Sequence, residues 1–307
     1  MRVWIDTDMG FDDLAAIGLC LSGGADVAGL SVVAGNVPLD RAVANACAAA
    51  DVFGWRMPIH AGADAPLSGA LQTAQYVLGP DGMPSTGARL PAPQQGPDPQ
   101  DAVTALATYL DSGGEWILAL GPLTNLAHLA QDRPGLLAQA RIVWMGGAFA
   151  RGNHTAVAEY NAAADPEALD IVLRAGADFI MVGLECCRAV QVGLDDLAPL
   201  RARKGPRAAL LFDLYEGYIR IAADGARPMA LYDPVAAALL LEPGLADYQR
   251  VHIAAELNGV HTRGMTVVEW RAGKAAPNAV VALDPDAKAI RAQFHGALMD
   301  MAGGRVD

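Results

Sequence analysis

Asp6, Asp8, Asp12 and Asp13 stand within eight positions, in the stretch Asp6-Thr7-Asp8-Met9-Gly10-Phe11-Asp12-Asp13, directly after the apolar run Val3-Trp4-Ile5. Carboxylates crowded this closely repel one another and raise one another's pKa unless a cation or a proton intervenes. Oxygen ligands without a Cys/His set suit a hard ion such as Ca2+ or Mg2+. Gly10 permits a tight turn, and the positive end of a helix starting near Asp12 favours acids there. Taken singly these residues have ordinary explanations, Asp12 as a helix N-cap and Asp6 or Asp8 as solvated loop residues. Four together behind a buried strand point to a charged centre.

Such a centre needs a scaffold. Short apolar runs at Arg2–Ile5, Val27–Val33, Trp116–Leu120, Arg141–Met145 and Phe179–Leu184 read as strands buried on both faces. Helical patterns lie between them at Asp12–Leu21, Asp40–Phe53, Gln100–Leu110, Thr124–Ala130 and Pro166–Ala175. The alternation predicts an α/β fold, an open and mostly parallel sheet flanked by helices, in a single domain over residues 1–307. Gly79–Gln100, rich in Gly, Pro and Gln, reads as a long loop, either disordered or functional as a lid. From Asp195 to Ala230 the pattern becomes more helical and includes the aromatic-rich Phe212–Tyr218, a second candidate wall.

Composition narrows the partners. With 307 residues and 53% hydrophobic content the chain can bury a sizeable core, and its formal charge of −12 argues against nucleic-acid polymers and anionic lipid. No apolar run is long enough to span a bilayer, and the N-terminus reads as a strand rather than a cleavable leader, so a cytoplasmic location is expected. Cys20, Cys47, Cys186 and Cys187 show no metal spacing and are expected as reduced thiols. His154, beside Asn153, is placed to reach the site, although a surface or hydrogen-bonded position is favoured; His60, His128, His252, His261 and His295 read as structural or solvated.

In open parallel sheets, ligands sit beyond the carboxyl ends of the strands. The unusual polar groups of this chain fall there: the four aspartates after the first strand, Asn36 after the second, Gly121-Pro122-Leu123-Thr124-Asn125 after the third, and Gly146-Gly147 with Asn153, Glu159 and Asn161 after the fourth.

These residues resemble the nucleoside hydrolase family, the inosine-uridine-preferring nucleoside N-ribohydrolases. The family's DxDPGxDDxxAI opening is matched from Asp6 to Ile17, and further matches follow in order: Val33–Val37, Gly121–Asn125, Met145–Gly147, Gly152–Asn161, Asp165–Ala168 and Asp233-Pro234. The resemblance implies Ca2+ held by Asp8, Asp13, Asp233 and the backbone carbonyl of Leu120, with Asp8 as general base toward the attacking water. It implies Asp12, Asn36, Met145, Asn153, Glu159, Asn161 and Asp233 as substrate-binding groups, with Asn36 also counted in the catalytic set. The substrate implied is a ribonucleoside or other N-riboside, split into ribose and free base, and the assembly implied is a homodimer or homotetramer.

The chain departs from the family pattern at several places. Many members carry His immediately before the late Asp, where this chain has Tyr232, and many carry histidines where this chain reads Ala74–Leu78. Absence of that His either restricts the enzyme to better leaving groups or shifts leaving-group protonation to Tyr232, Tyr76, Tyr215 or Tyr218, unless these only stack or pack. Base preference is assigned to Ala74–Gly87 and Leu211–Arg227. Met9 replaces the signature proline, and Glu185 stands in the usual acidic place beside Cys186-Cys187, for which burial is favoured over catalysis. Two other readings stay open: a ribose or nucleoside binder with impaired catalysis, and a Mg2+-dependent phosphohydrolase of haloacid-dehalogenase type using Asp6 as nucleophile.

Overall fold

A computed structural model describes residues 1–304. In chain order its elements are β1 (Arg2–Thr7), α1 (Phe11–Ser22), β2 (Asp26–Val32), α2 (Leu39–Phe53), β3 (Ile59–Ala61), α3 (Gln75–Leu78), α4 (Ala102–Asp111), β4 (Trp116–Ala119), α5 (Thr124–Asp132) and β5 (Arg141–Met145). There follow α6 (Tyr160–Ala164), α7 (Pro166–Arg174), β6 (Asp178–Val182), α8 (Leu184–Ala189), β7 (Gln191–Val192), α9 (Ala198–Ala202) and α10 (Pro206–Arg220). The last are β8 (Met229–Ala230), α11 (Asp233–Leu241), β9 (Asp247–Ala255), β10 (Thr266–Glu269), β11 (Ala279–Leu283) and α12 (Ala287–Gly303).

Nine strands form one open sheet in the order β10-β9-β11-β6-β5-β4-β1-β2-β3, and β7 pairs with β8 in a small separate ribbon. The large sheet is parallel except where β9 runs against β10 and β11. Sequence order reverses at β1, which lies between β2 on one side and β4 on the other. That is the position at which a parallel sheet opens a crevice beyond its strand ends, and the aspartate cluster leads out of this strand.

The strands alternate between two cores. Val3 and Ile5 of β1, with Val143 and Met145 of β5, pack with α1, α2, α10, α11 and α12. Trp4, Ile142 and Trp144 point to the other face, against α4, α5 and α7. This two-sided burial is why these strands carry unbroken apolar runs. Among the described residues no helix is long and apolar enough to cross a membrane.

Two expectations need correction. The strand expected at Phe179–Leu184 stops at Val182, because Gly183 in extended conformation caps α8, and Cys186-Cys187 therefore lie on a helix. The long segment 79–100 lacks helix or strand, as expected, but is tied down by hydrogen bonds rather than disordered. Backbone N–H groups of Thr86 and Ala88 donate to the Asp213 carbonyl and carboxylate on α10, Asn45 on α2 donates to the Asp81 carbonyl, and Gln94 N donates to Asp51. These bonds hold the segment along two helices, away from the crevice.

Helix α12 is anchored by Phe294, fully buried and edge-on to Tyr215 at 5.3 Å. Phe294→Ala is expected to lower unfolding free energy by about 3–5 kcal/mol, the usual cost of deleting a buried phenyl ring, measured by urea unfolding followed by far-UV circular dichroism.

Candidate active site

The turn from β1 to α1 is built by short bonds to its own backbone. The Thr7 hydroxyl donates to Asp13 at 2.5 Å and accepts from Met9 N, while Gly10 N donates to the other Asp13 oxygen at 2.7 Å. Met9 has φ +50°, a left-handed conformation uncommon for a non-glycine residue and closed to proline. Methionine at this signature position thus permits a turn that proline could not make.

Asp8 emerges from β1 fully buried. Its carboxylate accepts from Asn36 N at 2.7 Å and Asn36 Nδ2 at 3.0 Å. Behind it, one carboxylate oxygen from each of Asp12, Asp13 and Asp233 lies within 4.8 Å of the others. Asp12, expected as a ribose group, belongs to this trio, and Asp8 stands beside it with its carboxylate bonded to Asn36. Asp233 opens α11 with Pro234 in its first turn, and Asp12 and Asp13 sit in the first turn of α1. Two helix N-termini thus direct their positive ends at the acids.

Burial pushes every one of these groups up, and repulsion from neighbouring carboxylates adds to it at Asp8, Asp12 and Asp233: Asp8 and Asp233 go well above the ordinary carboxylate range, Asp12 to about 7, and Asp13 upward by desolvation. A set of buried oxygen donors that resists ionisation on its own suits a hard divalent cation, which would restore the charge balance. Asp8, Asp12, Asp13, Asp233 and the Leu120 carbonyl are the groups that could hold it. Leu120 O and Met145 O both accept from Asn161 Nδ2, at 2.8 and 3.0 Å, so this amide fixes the ends of β4 and β5.

Glu159 caps α6, accepting from the backbone N–H groups of Gly147, Asn161 and Ala162; desolvation nonetheless raises it to about 7. Asn153 Oδ1 accepts from Tyr160 N, and the Tyr160 hydroxyl bonds the carbonyls of Gly35 at 2.6 Å and Gln72 at 2.9 Å. These groups surround a cavity of about 230 Å³, at the small end for an enclosed ligand. Of the expected site residues, Asp8, Asp12, Asn36, Leu120, Met145, Asn153, Glu159, Asn161, Tyr232 and Asp233 line it, while Asp13 lies behind the wall.

The remaining wall is Ala74, Tyr76, Val77, Leu78, Tyr218, Ile221 and Met229, so only the first part of Ala74–Gly87 reaches the cavity. His154, expected at the surface, also lines it. Tyr215 does not; it is buried and paired with His295. Tyr160 was missed because its placement depends on loops that meet only in the folded chain.

Glu185 acts at a distance from the cavity. Its carboxylate accepts from Phe149 N, Ala150 N and Arg151 N, and Arg188 donates to the carbonyls of Arg151 and Gly152. One turn of α8 thereby clamps the loop that leads to Asn153. Cys186 and Cys187 are buried, with thiols raised by desolvation, Cys186 to about 12 and Cys187 well above the ordinary thiol range. Asp6 is also fully buried, bonded to Ser31 and to Asn125 Nδ2, and raised to about 7 by desolvation. Asn125 Oδ1 in turn accepts from Ala63 N, so Asp6 is committed to framework and is absent from the cavity wall.

A family model described as inosine-uridine preferring nucleoside hydrolase matches residues 3–292. The chain belongs to this family. It is 35% identical over 296 residues to the pyrimidine-specific ribonucleoside hydrolase RihA of Citrobacter koseri, covering 93% of this chain and 94% of that protein. It is 36% identical over 300 residues to the non-specific ribonucleoside hydrolase RihC of Salmonella paratyphi B, covering 95% of each. Among solved structures, a plant nucleoside hydrolase superposes with a TM-score of 0.87 at 29% identity over 97% of this chain and 98% of that one. A purine-preferring ribonucleoside hydrolase from Gardnerella vaginalis, at 24% identity and covering 98% and 99% of the two chains, has a TM-score of 0.90 and speaks for the fold. As a member of the family, this nucleoside hydrolase is an N-glycosyl hydrolase, splitting ribonucleosides into ribose and base.

Two outcomes are expected from the geometry. Carboxyls raised in the folded state stabilise it below their unfolded pKa near 4 and lose that contribution as pH rises through about 7. Chelator-treated nucleoside hydrolase should therefore melt at progressively lower temperature from about pH 5 to about pH 8, and added Ca2+ should raise the melting temperature more at the higher pH, where the carboxylates are free to ionise. Glu185→Ala should raise KM by roughly 5- to 30-fold (~1–2 kcal/mol) with a smaller change in kcat, because it frees the loop bearing Asn153; steady-state kinetics on a nucleoside checks the split.

Proposed function

We propose that this chain hydrolyses the N-glycosidic bond of ribonucleosides with Ca2+, using Asp8 as general base and working as one unit over residues 1–307. The observation that carries this reading is the position of Asp8: it leaves the central strand at the topological reversal, is held by both nitrogens of Asn36, and faces the cavity beside Asp12 and Asp233. When bound, Ca2+ supplies Lewis-acid activation of water and a template for the ribose diol.

The chain's own groups do the rest. Asp8 takes the proton of the attacking water, and the Asn36 amide keeps its carboxylate aimed. Asp12, Asn36, Asn153, Glu159, Asn161 and Asp233 match the ribose hydroxyls with acceptors and donors, as a sequestered polyol requires, and Met145 covers one side. As the C1′–N bond lengthens, the ribosyl group gains oxocarbenium character, and the surrounding carboxylates stabilise that positive charge. Tyr232 adjoins Asp233 in the wall, and burial pushes its phenol to about 12, so it keeps its proton at neutral pH and can lend a hydrogen bond to the departing nitrogen.

The phosphohydrolase reading loses its nucleophile, since Asp6 is buried in hydrogen bonds to Ser31 and Asn125. The binder reading is separated by turnover. Release of reducing sugar from uridine, inosine and 4-nitrophenyl riboside should be abolished by a strong chelator and restored by Ca2+. Asp8→Ala should lower kcat by at least ~10³-fold on all substrates that the parent enzyme cleaves. Undiminished turnover by Asp8→Ala would overturn the assignment of the base, and no turnover of any riboside would favour the binder.

A further inference from the structure

We infer that Tyr160 is a positioning residue for the general base: its hydroxyl holds the Gly35-Asn36 turn against Asp8, and the turn in its place keeps the carboxylate aimed at the attacking water; this rests on the hydrolase reading just given. Tyr160 opens α6 and lines the cavity, yet its hydroxyl is bonded to main-chain carbonyls of two other segments.

Asp8 depends on this turn at both of its oxygens. Asn36 N donates to Oδ2 at 2.7 Å and Asn36 Nδ2 donates to Oδ1 at 3.0 Å. Gly35 lies so close that a side chain there would collide with the same carboxylate. A displacement of the turn therefore displaces Asp8, and a misplacement of about 1 Å can lower the rate roughly 100-fold. The turn has few ties of its own. Ala34 N donates to the Ala63 carbonyl at 2.9 Å, Gly35 N to the Val37 carbonyl at 3.2 Å and Ala74 N to the Asn36 carbonyl at 3.1 Å, while the Gly35 carbonyl accepts from the Tyr160 hydroxyl at 2.6 Å. The last is the shortest of these and the one made by a side chain.

The same hydroxyl lies 2.9 Å from the Gln72 carbonyl, at the head of the wall that carries Tyr76, Val77 and Leu78. Of residues 68–78, Ala74 is the one that is buried. Among the described residues, two hydrogen bonds tie this segment to distant parts of the chain, Ala74 N to Asn36 and the Gln72 carbonyl to Tyr160. One ends on the turn and the other on the hydroxyl that holds it. A phenol has a single proton to donate, and both of its neighbours here are acceptors. The shorter contact places that proton on the Gly35 side, so the hydroxyl serves the turn first and the wall second. Its removal is then felt in the chemical step more than in the grip on the base.

The test is Tyr160→Phe, which removes the hydroxyl and keeps the ring, in the full-length, Ca2+-supplied enzyme acting on uridine, inosine and 4-nitrophenyl riboside. The expected result is a kcat at least about fivefold lower on every riboside that the parent enzyme cleaves, with KM changed by less than about twofold. Asp8→Ala supplies the second background. A residue that acts through Asp8 has nothing left to position there, so adding Tyr160→Phe should lower the residual turnover of 4-nitrophenyl riboside by less than about twofold. A smaller loss of kcat in the parent overturns the assignment and leaves the hydrolase reading standing. So does a loss carried mainly by KM or confined to one base, which would place the hydroxyl's work in the wall, and so does an equal loss in both backgrounds, which a general loosening of the fold would give. If the parent enzyme cleaves none of the three ribosides, both readings fall.

Discussion

Mutual repulsion among buried carboxylates is the constraint on which this architecture turns. Asp8, Asp12, Asp13 and Asp233 come from two segments far apart in sequence and are brought together out of bulk water, where each resists ionisation in the presence of the others. Nothing in an apolar core would select such an arrangement. It persists because α1 and α11 present acids at their N-termini, because Thr7, Gly10 and Asn36 donate hydrogen bonds to the cluster, and because a hard cation can take up the remaining charge. The same field that makes the empty cluster costly favours an oxocarbenium-like ribosyl group, so the folding strain and the proposed chemistry have one origin.

The polar residues divide into those that face the cavity and those that hold its loops still. Asp165 illustrates the second kind: it caps α7 by accepting from Ala168 N and also accepts from Thr124 and Leu67 N, tying two other segments to the start of that helix. Asp6 with Asn125 does likewise between β1, α5 and the segment after β3. Glu185 and Arg188 complete the set by gripping both donors and acceptors of one loop. An irregular segment carries backbone groups that need partners, and a single carboxylate accepting two or three N–H bonds satisfies them more rigidly than water does.

Much of this was legible in the chain itself, for physical reasons that also mark where legibility stops. Strands β1, β2, β4, β5 and β6 are sandwiched between helices and so appear as continuous apolar runs. β9, mostly exposed along its first half, and β3, only three residues long, lack that signal. The ordered motifs pointed to the residues of the cavity wall, yet which carboxylates lie closest together, and that Asp8 is bonded to Asn36 across 28 positions of chain, is set only by the folded arrangement. The roles of Glu185 and Tyr160 were equally out of reach, since each acts on backbone supplied by another loop.

Helix α1, which carries two of the clustered acids, is packed between α11 and α12, and a side chain at Gly18 would collide with Met301. The signature turn is among the first parts of the described chain to leave the ribosome, but the surfaces that shelter it are among the last. Until they arrive, the turn has neither its apolar cover nor the Asp233 partner, and its charges stay hydrated and apart. High contact order of this kind slows folding and lengthens exposure of the central strands. A cation present during synthesis would find its complete set of ligands only at the final stage, making assembly of the acidic centre a late event in the maturation of the protein.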